Sequence, residues 1–285
     1  MFGFSWMIAH MPLGFQIALG KTLGWLLFHL YGRHKKIADT NLKLCFPHKS
    51  KTWREQIIKE NAYLTGQGVI ETSAAWFSNL NSRHNVTSLM GQEHLDKALE
   101  KGKGVILLGF HMTSLEIGAQ LLSKRVKING MYKPDKNPLI ENFMYRGRLR
   151  HMESLVKQKN VRKMLKILKD NKIVWYAADQ DYGKDKSAVF APFFGIPAST
   201  ITATTKFAKM TGATVIPFTQ KRVKNGKRYE LTLHPALENF PGESPLADAT
   251  RLNHFLEEYL KQEPADYFWV HKRFKTRPDG EDSLY

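Results

Sequence analysis

Apolar positions recur along the chain with two different periods. The stretch TWREQIIKENAYLTGQGVIETSAAWF (52–77) carries apolar residues at helical spacing, whereas GVILLGF (104–110) and KIVWYAAD (172–179) are short apolar runs typical of buried strands. From residue 52 onward, such strands alternate with helical stretches of roughly 10–15 residues. This alternation predicts an α/β fold with a mixed, mostly parallel sheet flanked by helices.

The same periodicity predicts the remaining elements. Further strands are predicted at VKINGMY (126–132), ATVIPFTQKR (213–222) and RYELTLHPAL (228–237). Helices are predicted at 93–102, 113–125, 137–156, 160–171, 199–212 and 250–262. Thr113 or Ser114 is the expected N-cap of the helix at 113–125, and Gly212 is expected to close the helix at 199–212.

The N-terminal stretch has a different character from the rest of the chain. Residues 1–20 contain no Lys, Arg, Asp or Glu, and the apolar character resumes after Lys21 until the basic cluster Arg33–Lys36. Twenty helical residues rise about 30 Å, the thickness of the hydrocarbon core, but Pro12 and several glycines make a poor uniform span. We expect a helix or a kinked helical pair in the membrane interface, with three aromatic residues at headgroup level: Trp6, Trp25 and Tyr31.

This contrast divides the chain into a membrane-associating segment, residues 1–31, and a larger domain, residues 32–285. Positive charge follows the apolar run instead of preceding it, which is unlike a cleaved signal peptide. If the segment spans the bilayer, the positive-inside tendency puts the larger domain in the cytoplasm. A helical hairpin of a soluble domain is the alternative interpretation.

The charge balance predicts an anionic partner. The sequence has 43 Lys and Arg against 26 Asp and Glu, a formal net charge of +17. Nucleic acid, an anionic membrane, a phosphorylated substrate or an acidic protein would each fit. The basic residues are interleaved with apolar stretches and do not form a low-complexity arm, and together with the apolar N-terminus this favours the membrane over nucleic acid. The single cysteine, Cys45, is expected to pack in the interior, and no spacing indicates a metal site.

A histidine and a glutamate mark the candidate chemistry. His111 directly follows the strand GVILLGF, and Glu116 lies five positions later, at the start of a predicted helix. Ligands of parallel sheets sit beyond the carboxyl ends of the strands. A neutral imidazole can take a proton from a hydroxyl when a second group fixes its tautomer, and Glu116 is predicted to be that group. The spacing alone is weak evidence, because His34 and Asp39 share it, and a purely structural histidine is the alternative.

Five motifs in a fixed order provide a more specific signal. They are GFHMTSLE, MYKPDKNPLIENFMYRGRLR, AADQDYG, VFAPFFGIPASTITATTKFAKMTGATVIPF and YFWVHKRFKTRP. In this order they resemble the late lipid A biosynthesis acyltransferases of Gram-negative bacteria, which belong to the lysophospholipid and glycerolipid acyltransferase superfamily. The resemblance runs from GRHKKIADTNLKLCFP, near residue 32, almost to the C-terminus, and includes the apolar N-terminal segment.

The resemblance implies an enzyme with a defined reaction and location. It would transfer a fatty acyl chain from acyl carrier protein to a hydroxyl of an anionic lipid A precursor of the Kdo-lipid IVA type. The reaction would occur at the cytoplasmic face of the inner membrane, with no cofactor, no metal and no covalent acyl-enzyme. An acidic carrier, a phosphorylated acceptor and an anionic leaflet all suit a basic protein.

The resemblance also assigns site residues. His111 is expected to be the general base and Glu116 its orienting acid. Arg148 is expected to hold an acceptor phosphate or to support the oxyanion, and Asp179 to anchor Arg148 or a substrate sugar. Weaker candidates for substrate binding are Arg146, the acyl-pocket residues Phe193, Phe194 and Gly195, and the phosphate-binding or headgroup-binding residues Trp269, His271 and Arg273.

Two other functions fit parts of the pattern. Within the superfamily, the acceptor could be a phospholipid or a glycolipid such as a mannosylated phosphoinositide, which the His111 and Glu116 pair would serve equally well. From a different class, a basic nucleic-acid-binding or membrane-binding module without chemistry would explain the net charge of +17. The second alternative leaves the placement of His111, Glu116, Arg148 and Asp179 unexplained.

Overall fold

The computed structural model describes residues 2–78 and 85–285. Within these residues the chain forms a seven-stranded sheet in the order β1-β9-β8-β2-β5-β3-β4 and a separate two-stranded hairpin, β6-β7. The strands are β1 Asn85–Met90, β2 Val105–Gly109, β3 Ile128–Tyr132, β4 Ser154–Lys157, β5 Ile173–Ala177, β6 Ala188–Phe193, β7 Ile196–Ile201, β8 Thr214–Val223 and β9 Arg228–Leu233. All neighbours in the large sheet are parallel except β8 and β9, which confirms the predicted mixed, mostly parallel sheet.

Helices cover both faces of this sheet. They are α1 Phe2–His10, α2 Leu13–Leu30, α3 Gly32–Cys45, α4 Lys51–Phe77, α5 Gln92–Glu100, α6 Leu115–Ser123, α7 Pro138–Leu149, α8 Val161–Lys169, α9 Ala203–Thr211 and α10 Pro245–Gln262. Side chains of β2 point alternately into two apolar clusters, because successive residues of a strand face opposite sides of the sheet. Ile106 and Leu108 join one cluster and Val105 and Leu107 the other, so β2 is buried on both faces as its apolar run predicted.

Several predicted boundaries were wrong. The helix predicted at 137–156 ends at Leu149, and Ser154–Lys157 forms β4 beside β3. The helix predicted at 199–212 begins at Ala203, because residues 196–201 pair with β6 as β7. Ser114 occupies the N-cap position of α6, but its side chain makes no capping hydrogen bond. Gly212 closes α9 with a φ of 73°, as expected for a glycine in the left-handed region.

The N-terminal segment forms the kinked helical pair α1 and α2, which break at Pro12. Glycines let α2 lie directly against α4: a methyl group on Gly24 would approach the Tyr63 Cα to 2.4 Å, and one on Gly66 would approach the Gly24 nitrogen to 2.3 Å. This close backbone contact joins the segment to the larger domain. No helix among the described residues is both long enough and apolar enough to cross a bilayer.

Candidate active site

His111 and Asp179 meet at the carboxyl end of the sheet. The Nδ1 atom of His111 lies 2.8 Å from Oδ1 of Asp179, and the backbone N–H of His111 also donates to that carboxylate, at 3.1 and 3.2 Å. Because an ionised carboxylate only accepts hydrogen bonds, Nδ1 carries the proton and Nε2 keeps its lone pair. The pair therefore leaves Nε2 as the ring nitrogen able to accept a proton.

The sheet topology brings these two residues together. β2 and β5 are parallel neighbours, with Gly109 paired to Ala177 at their last residues. His111 and Asp179 each follow two residues after that pair, at the same edge of the sheet. The side chain of Asp179 is only 3% exposed, whereas that of His111 is 30% exposed. A buried carboxylate thus orients a histidine that remains open to a ligand.

The electrostatics of the pair support a charged carboxylate beside a basic imidazole. Burial is the largest influence on the pKa of His111 and lowers it, but the charge and hydrogen bond of Asp179 outweigh burial, so the pKa is raised above its ordinary value. Burial likewise raises the pKa of Asp179, yet His111 and its hydrogen bonds bring that pKa below its ordinary value. Each group therefore stabilises the charged form of the other.

Glu116 contacts Arg148 and not His111, so the predicted contact between Glu116 and His111 was wrong. The Nε of Arg148 donates to Oε2 of Glu116 at 3.2 Å, Nη2 donates to Oε1, and the indole Nε1 of Trp76 donates to Oε2 at 3.0 Å. From the first turn of α6, Glu116 faces α4 and α7, which carry Trp76 and Arg148. A permanently charged guanidinium is a stronger partner for a buried carboxylate than a neutral imidazole.

The expected contact between Asp179 and Arg148 was also wrong, because Asp179 pairs with His111 and Arg148 pairs with Glu116. Burial raises the pKa of Glu116, but the charge and hydrogen bonds of Arg148 outweigh burial and keep that pKa below its ordinary value. Burial lowers the pKa of Arg148, and Glu116 more than compensates, so that pKa is raised. Among the described residues, Nη1 of Arg148 has no hydrogen-bonding partner. It is the guanidinium nitrogen left for a ligand.

A polar pocket of about 390 Å³ joins the two pairs. His111 and Arg148 both line it, together with Lys133, Tyr132 and Gln180. The ring of Tyr132 lies 5.8 Å from the guanidinium carbon of Arg148, and its hydroxyl donates to Glu141 at 2.7 Å. The lining of the pocket thus presents both a base and a cation. This suits a reaction in which a hydroxyl loses a proton while an adjacent oxygen gains negative charge.

Comparison with known proteins shows the family of the chain. The sequence model of the family described as bacterial lipid A biosynthesis acyltransferase matches residues 1–276. The chain belongs to the bacterial lipid A biosynthesis acyltransferases. It is therefore an acyltransferase, and its reaction belongs to lipid A and lipopolysaccharide biosynthesis.

Individual relatives match over nearly the whole chain. A lipid A biosynthesis lauroyltransferase of Escherichia coli K12 is 36% identical over 284 residues, which cover 99% of this chain and 92% of that protein. A lipid A biosynthesis acyltransferase of Haemophilus influenzae is 37% identical over 273 residues, 94% of this chain and 86% of the relative. The lipid A biosynthesis myristoyltransferase of Escherichia coli K12 is 25% identical over 282 residues, with 98% and 86% covered.

The predicted acyl-pocket residues of this acyltransferase lie in the β6-β7 hairpin. Phe194 and Gly195 form its turn with φ angles of 51° and 77°, and Phe193 is buried against Phe274 and Tyr267. None of the three lines the pocket at His111. Their role in an acyl pocket stays a prediction, and in the structure positive φ and core packing account for their positions.

The predicted binding strip near the C-terminus is mostly interior. Trp269 and Arg273 are each 1% exposed, and Arg273 donates to Ser199 O at 2.6 Å and Thr200 Oγ1 at 2.7 Å. His271 accepts a hydrogen bond from the backbone N–H of Asp181 at 2.9 Å. Arg273 thereby ties the C-terminal segment to β7, and Trp269 and Arg273 do not form an exposed basic surface. That part of the prediction was wrong because positive charge in a sequence does not distinguish a solvated arginine from a buried, bonded one.

The remaining candidates lie outside the pocket. Arg146 is exposed on α7 and does not line the pocket.

The single cysteine packs in the core as expected, and burial raises the pKa of the Cys45 thiol well above its usual range. Within residues 2–78 and 85–285, no three His, Cys, Asp or Glu side chains are grouped closely enough to bind a metal ion. Sequence reasoning missed Trp76, which gave no signal beyond its place on the helical pattern of α4.

Proposed function

We propose that this acyltransferase moves a fatty acyl chain from acyl carrier protein to a hydroxyl of a lipid A precursor of the Kdo-lipid IVA type. The observation that carries the proposal is the pocket shared by His111 and Arg148, with each side chain held by its own carboxylate. Asp179 serves the base and Glu116 serves the cation. This arrangement supplies a base and an electrostatic stabiliser without a protein nucleophile.

In the proposed reaction, Nε2 of His111 takes the proton of the acceptor hydroxyl. The hydroxyl oxygen attacks the thioester carbonyl of the donor and forms a new C–O bond, and the carbonyl oxygen becomes an oxyanion. When this intermediate collapses, the C–S bond breaks and the leaving thiolate receives the proton from His111. Asp179 stabilises the imidazolium that exists between the two proton transfers. No acyl-enzyme forms, since the acceptor itself is the nucleophile.

Arg148 would stabilise negative charge in the same pocket. Glu116 occupies its Nε and Nη2, which leaves Nη1 for the oxyanion or for an acceptor phosphate. A single N–H donor in a pocket of low dielectric is worth about 10²–10³ in kcat when it contacts an oxyanion. Glu116 would then be a positioning residue for Arg148, a different task from orienting the histidine.

Charge and exposure support the proposed partners. Lys133 lies in the lining of the pocket, and the chain carries a net charge of +17, which suits an acidic carrier protein and a phosphorylated acceptor. Large apolar side chains of α1 and α2 are exposed: Phe4, Trp6, Phe15, Trp25, Leu30 and the adjoining Tyr31. Beside them, an apolar groove of about 280 Å³ is lined by Phe28, Ile58 and Phe268. Such a surface favours attachment to the cytoplasmic face of the inner membrane.

The proposal is tested by a lipid-product assay with matched substrates. Purified protein would receive the same saturated acyl chain on acyl carrier protein or on coenzyme A, and either a Kdo-lipid IVA-type acceptor or a lysophospholipid. Mass spectrometry should detect product with the carrier-protein donor and the lipid A precursor, and none with His111→Ala. Product formed only on the lysophospholipid would reject the proposed acceptor. Full activity of His111→Ala would reject the proposed base.

A further inference from the structure

We propose that Arg222 is a positioning residue for acyl transfer. Arg222 extends from β8 beneath the turn of residues 112–114, which connects His111 to the first turn of α6 and therefore to Glu116. The proposal rests on the proposed function, because it assigns Arg222 the task of fixing His111 and Glu116 relative to each other. Neither Arg222 nor its two acidic partners line the pocket at His111, so any effect on the reaction must pass through the turn.

The guanidinium of Arg222 holds Thr113 through two donors. Its Nη1 donates to the Thr113 hydroxyl at 2.6 Å, and its Nη2 donates to the Thr113 carbonyl oxygen at 3.0 Å. The same guanidinium donates to Glu71 of α4, from Nε at 2.8 Å and from Nη2 at 2.7 Å. Since the arginine fork is planar and rigid, these four bonds fix the turn relative to the C-terminal part of α4.

Asp266 extends this arrangement to His111 itself. The Thr113 hydroxyl donates to Oδ1 of Asp266, the Thr113 N–H donates to the Asp266 carbonyl oxygen at 2.7 Å, and Arg222 Nη1 lies 3.3 Å from Oδ1. Two residues further along, the N–H of Phe268 donates to the carbonyl oxygen of His111 at 3.0 Å. The turn is therefore fixed on both sides of Met112, by Arg222 and by the segment at 266–268.

Helix α4 forms the floor under this turn. Gly68 and Glu71 are three residues apart and so lie on the same face of the helix. A methyl group on Gly68 would lie 2.1 Å from the carbonyl oxygen of Thr113, so the absence of a side chain allows direct contact. The Tyr229 hydroxyl donates to Oε1 of Glu71 at 2.6 Å and fixes that carboxylate from β9.

Burial makes the arrangement stiff. The side chains of Arg222 and Glu71 are 5% and 4% exposed, so solvent does not compete for their hydrogen bonds. A buried ion pair contributes little net stability compared with apolar packing, but it fixes geometry through its directional bonds. A turn held by five hydrogen bonds beside the base would limit the positional freedom of His111. Displacement of a reacting group by about 1 Å can cost roughly 10²-fold in rate.

The test compares Thr113→Val with Thr113→Ser in the full chain, assayed with the acyl carrier protein donor and lipid A precursor. Valine has nearly the same shape but removes the hydroxyl that links Arg222 to Asp266, whereas serine keeps it. We expect Thr113→Val to lower kcat by roughly 10–100-fold with little change in either KM, as for a displaced reacting group. Thr113→Ser should restore kcat to near the unmodified value.

Arg222→Lys and Lys221→Ala complete the design. Arg222→Lys keeps the charge but loses the planar fork, so kcat should fall as in Thr113→Val. Lys221 is the adjacent residue of β8 and pairs with Glu263 outside the arrangement, so Lys221→Ala should leave kcat unchanged. Each variant is assayed well below its own unfolding temperature, so that the fraction unfolded does not contribute to the loss.

The pH profile and the His111→Ala variant distinguish failure of the positioning role from failure of the proposed base. A displaced His111 loses part of its interaction with Asp179, so the ascending limb of kcat against pH should move to lower pH in Thr113→Val. Unchanged kcat and pH profile in both Thr113→Val and Arg222→Lys, with only a lower unfolding temperature, would overturn the positioning role while an inactive His111→Ala upholds the base. An active His111→Ala would overturn both proposals.

Discussion

Asp179 accepts hydrogen bonds from both the ring and the backbone N–H of His111. The two groups approach one carboxylate from the same residue, which fixes the imidazole in position and in tautomer. The Tyr267 hydroxyl also lies 3.3 Å from the carbonyl oxygen of Asp179. Tyr267 therefore contacts the backbone just beyond the end of β5, at the residue that holds His111.

Asp179→Asn should lower kcat by about 10²–10⁴-fold, the usual contribution of a correctly held general base. The pKa of His111 is raised because Asp179 outweighs burial, so the asparagine variant leaves burial and Arg148 to lower it. A general base acts when neutral, and the ascending limb of kcat against pH should therefore move to lower pH. The measurement is kcat over a pH range that includes the limb in both proteins.

Asp282→Asn is the matched control, because Asp282 is exposed near the C-terminus. It should leave kcat and the pH profile unchanged. An Asp179→Asn variant with normal kcat, or with its limb displaced to higher pH, would contradict the assignment of Asp179 as the partner of His111.

Glu116 and Arg148 should behave as one unit. Glu116→Gln and Arg148→Gln should each lower kcat/KM by roughly 10–1,000-fold, and the double variant should lose little more than the worse single variant, because residues that act together are not additive. The measurement is a double-mutant cycle on kcat/KM. Arg146→Gln, two residues away on the same helix and exposed, is the control and should have little effect. Fully additive losses would show that the two side chains act independently.

The sequence predicted where the site residues lie on their strands, but not which side chains pair with each other. The apolar runs at 104–110 and 172–179 predicted β2 and β5, and both site residues were recognised as lying at strand ends. Their contact requires β2 and β5 to be neighbours, although β3 and β4 lie between them along the chain. Strand order arises from packing over the whole sheet, so spacing favoured Glu116 as the partner of His111.

Local patterns misled the prediction in three other places. The residues SLVK of β4 continue the apolar spacing of α7, and their strand conformation comes from pairing with β3. The FFG turn has Phe194 at a φ of 51°, a conformation that non-glycine residues seldom adopt, so no residue before Gly195 signals a turn. Arg273 resembled a surface cation because its buried acceptors, Ser199 and Thr200, lie far away in the sequence.

Asp266 should make stability depend on pH. Burial is the main cause that raises the pKa of Asp266 to about 6 from 3.8, and one carboxylate oxygen has no hydrogen-bonding partner among the described residues. The folded state therefore holds a proton that the unfolded state releases, and stability is lost as pH rises from about 4 through about 6. In Asp266→Asn this loss is absent. The free energy of unfolding of the variant relative to the unmodified protein should increase by up to about 3 kcal/mol over that range.

Urea unfolding at a series of pH values measures this difference. What matters is how the difference in free energy of unfolding changes with pH. Its absolute size is not informative, because the substitution also changes the bonds to Thr113 and Arg222 by a pH-independent amount. Asp282→Asn, at an exposed position outside this arrangement, controls for the loss of one carboxylate. A difference between Asp266→Asn and the unmodified protein that stays constant from pH 4 to pH 7 would mean that Asp266 does not hold the proton.

The exposed apolar face of the N-terminal helices should determine membrane binding. Trp25→Glu combined with Leu30→Glu places two charges on a surface that is otherwise apolar, and the partition coefficient onto phospholipid vesicles should fall at least about tenfold. Leu246→Glu, an equally exposed position on α10, is the matched control and should bind normally.

The basic residues that follow α2 should add an electrostatic contribution. Arg33→Gln combined with Lys36→Gln should weaken binding about tenfold or more on anionic vesicles only, since each basic residue near an anionic surface is worth about 1 kcal/mol. Vesicle co-sedimentation at low and high salt distinguishes the two contributions, because salt screens the second and not the first. Equal binding of all these variants would place the membrane contact elsewhere on the protein.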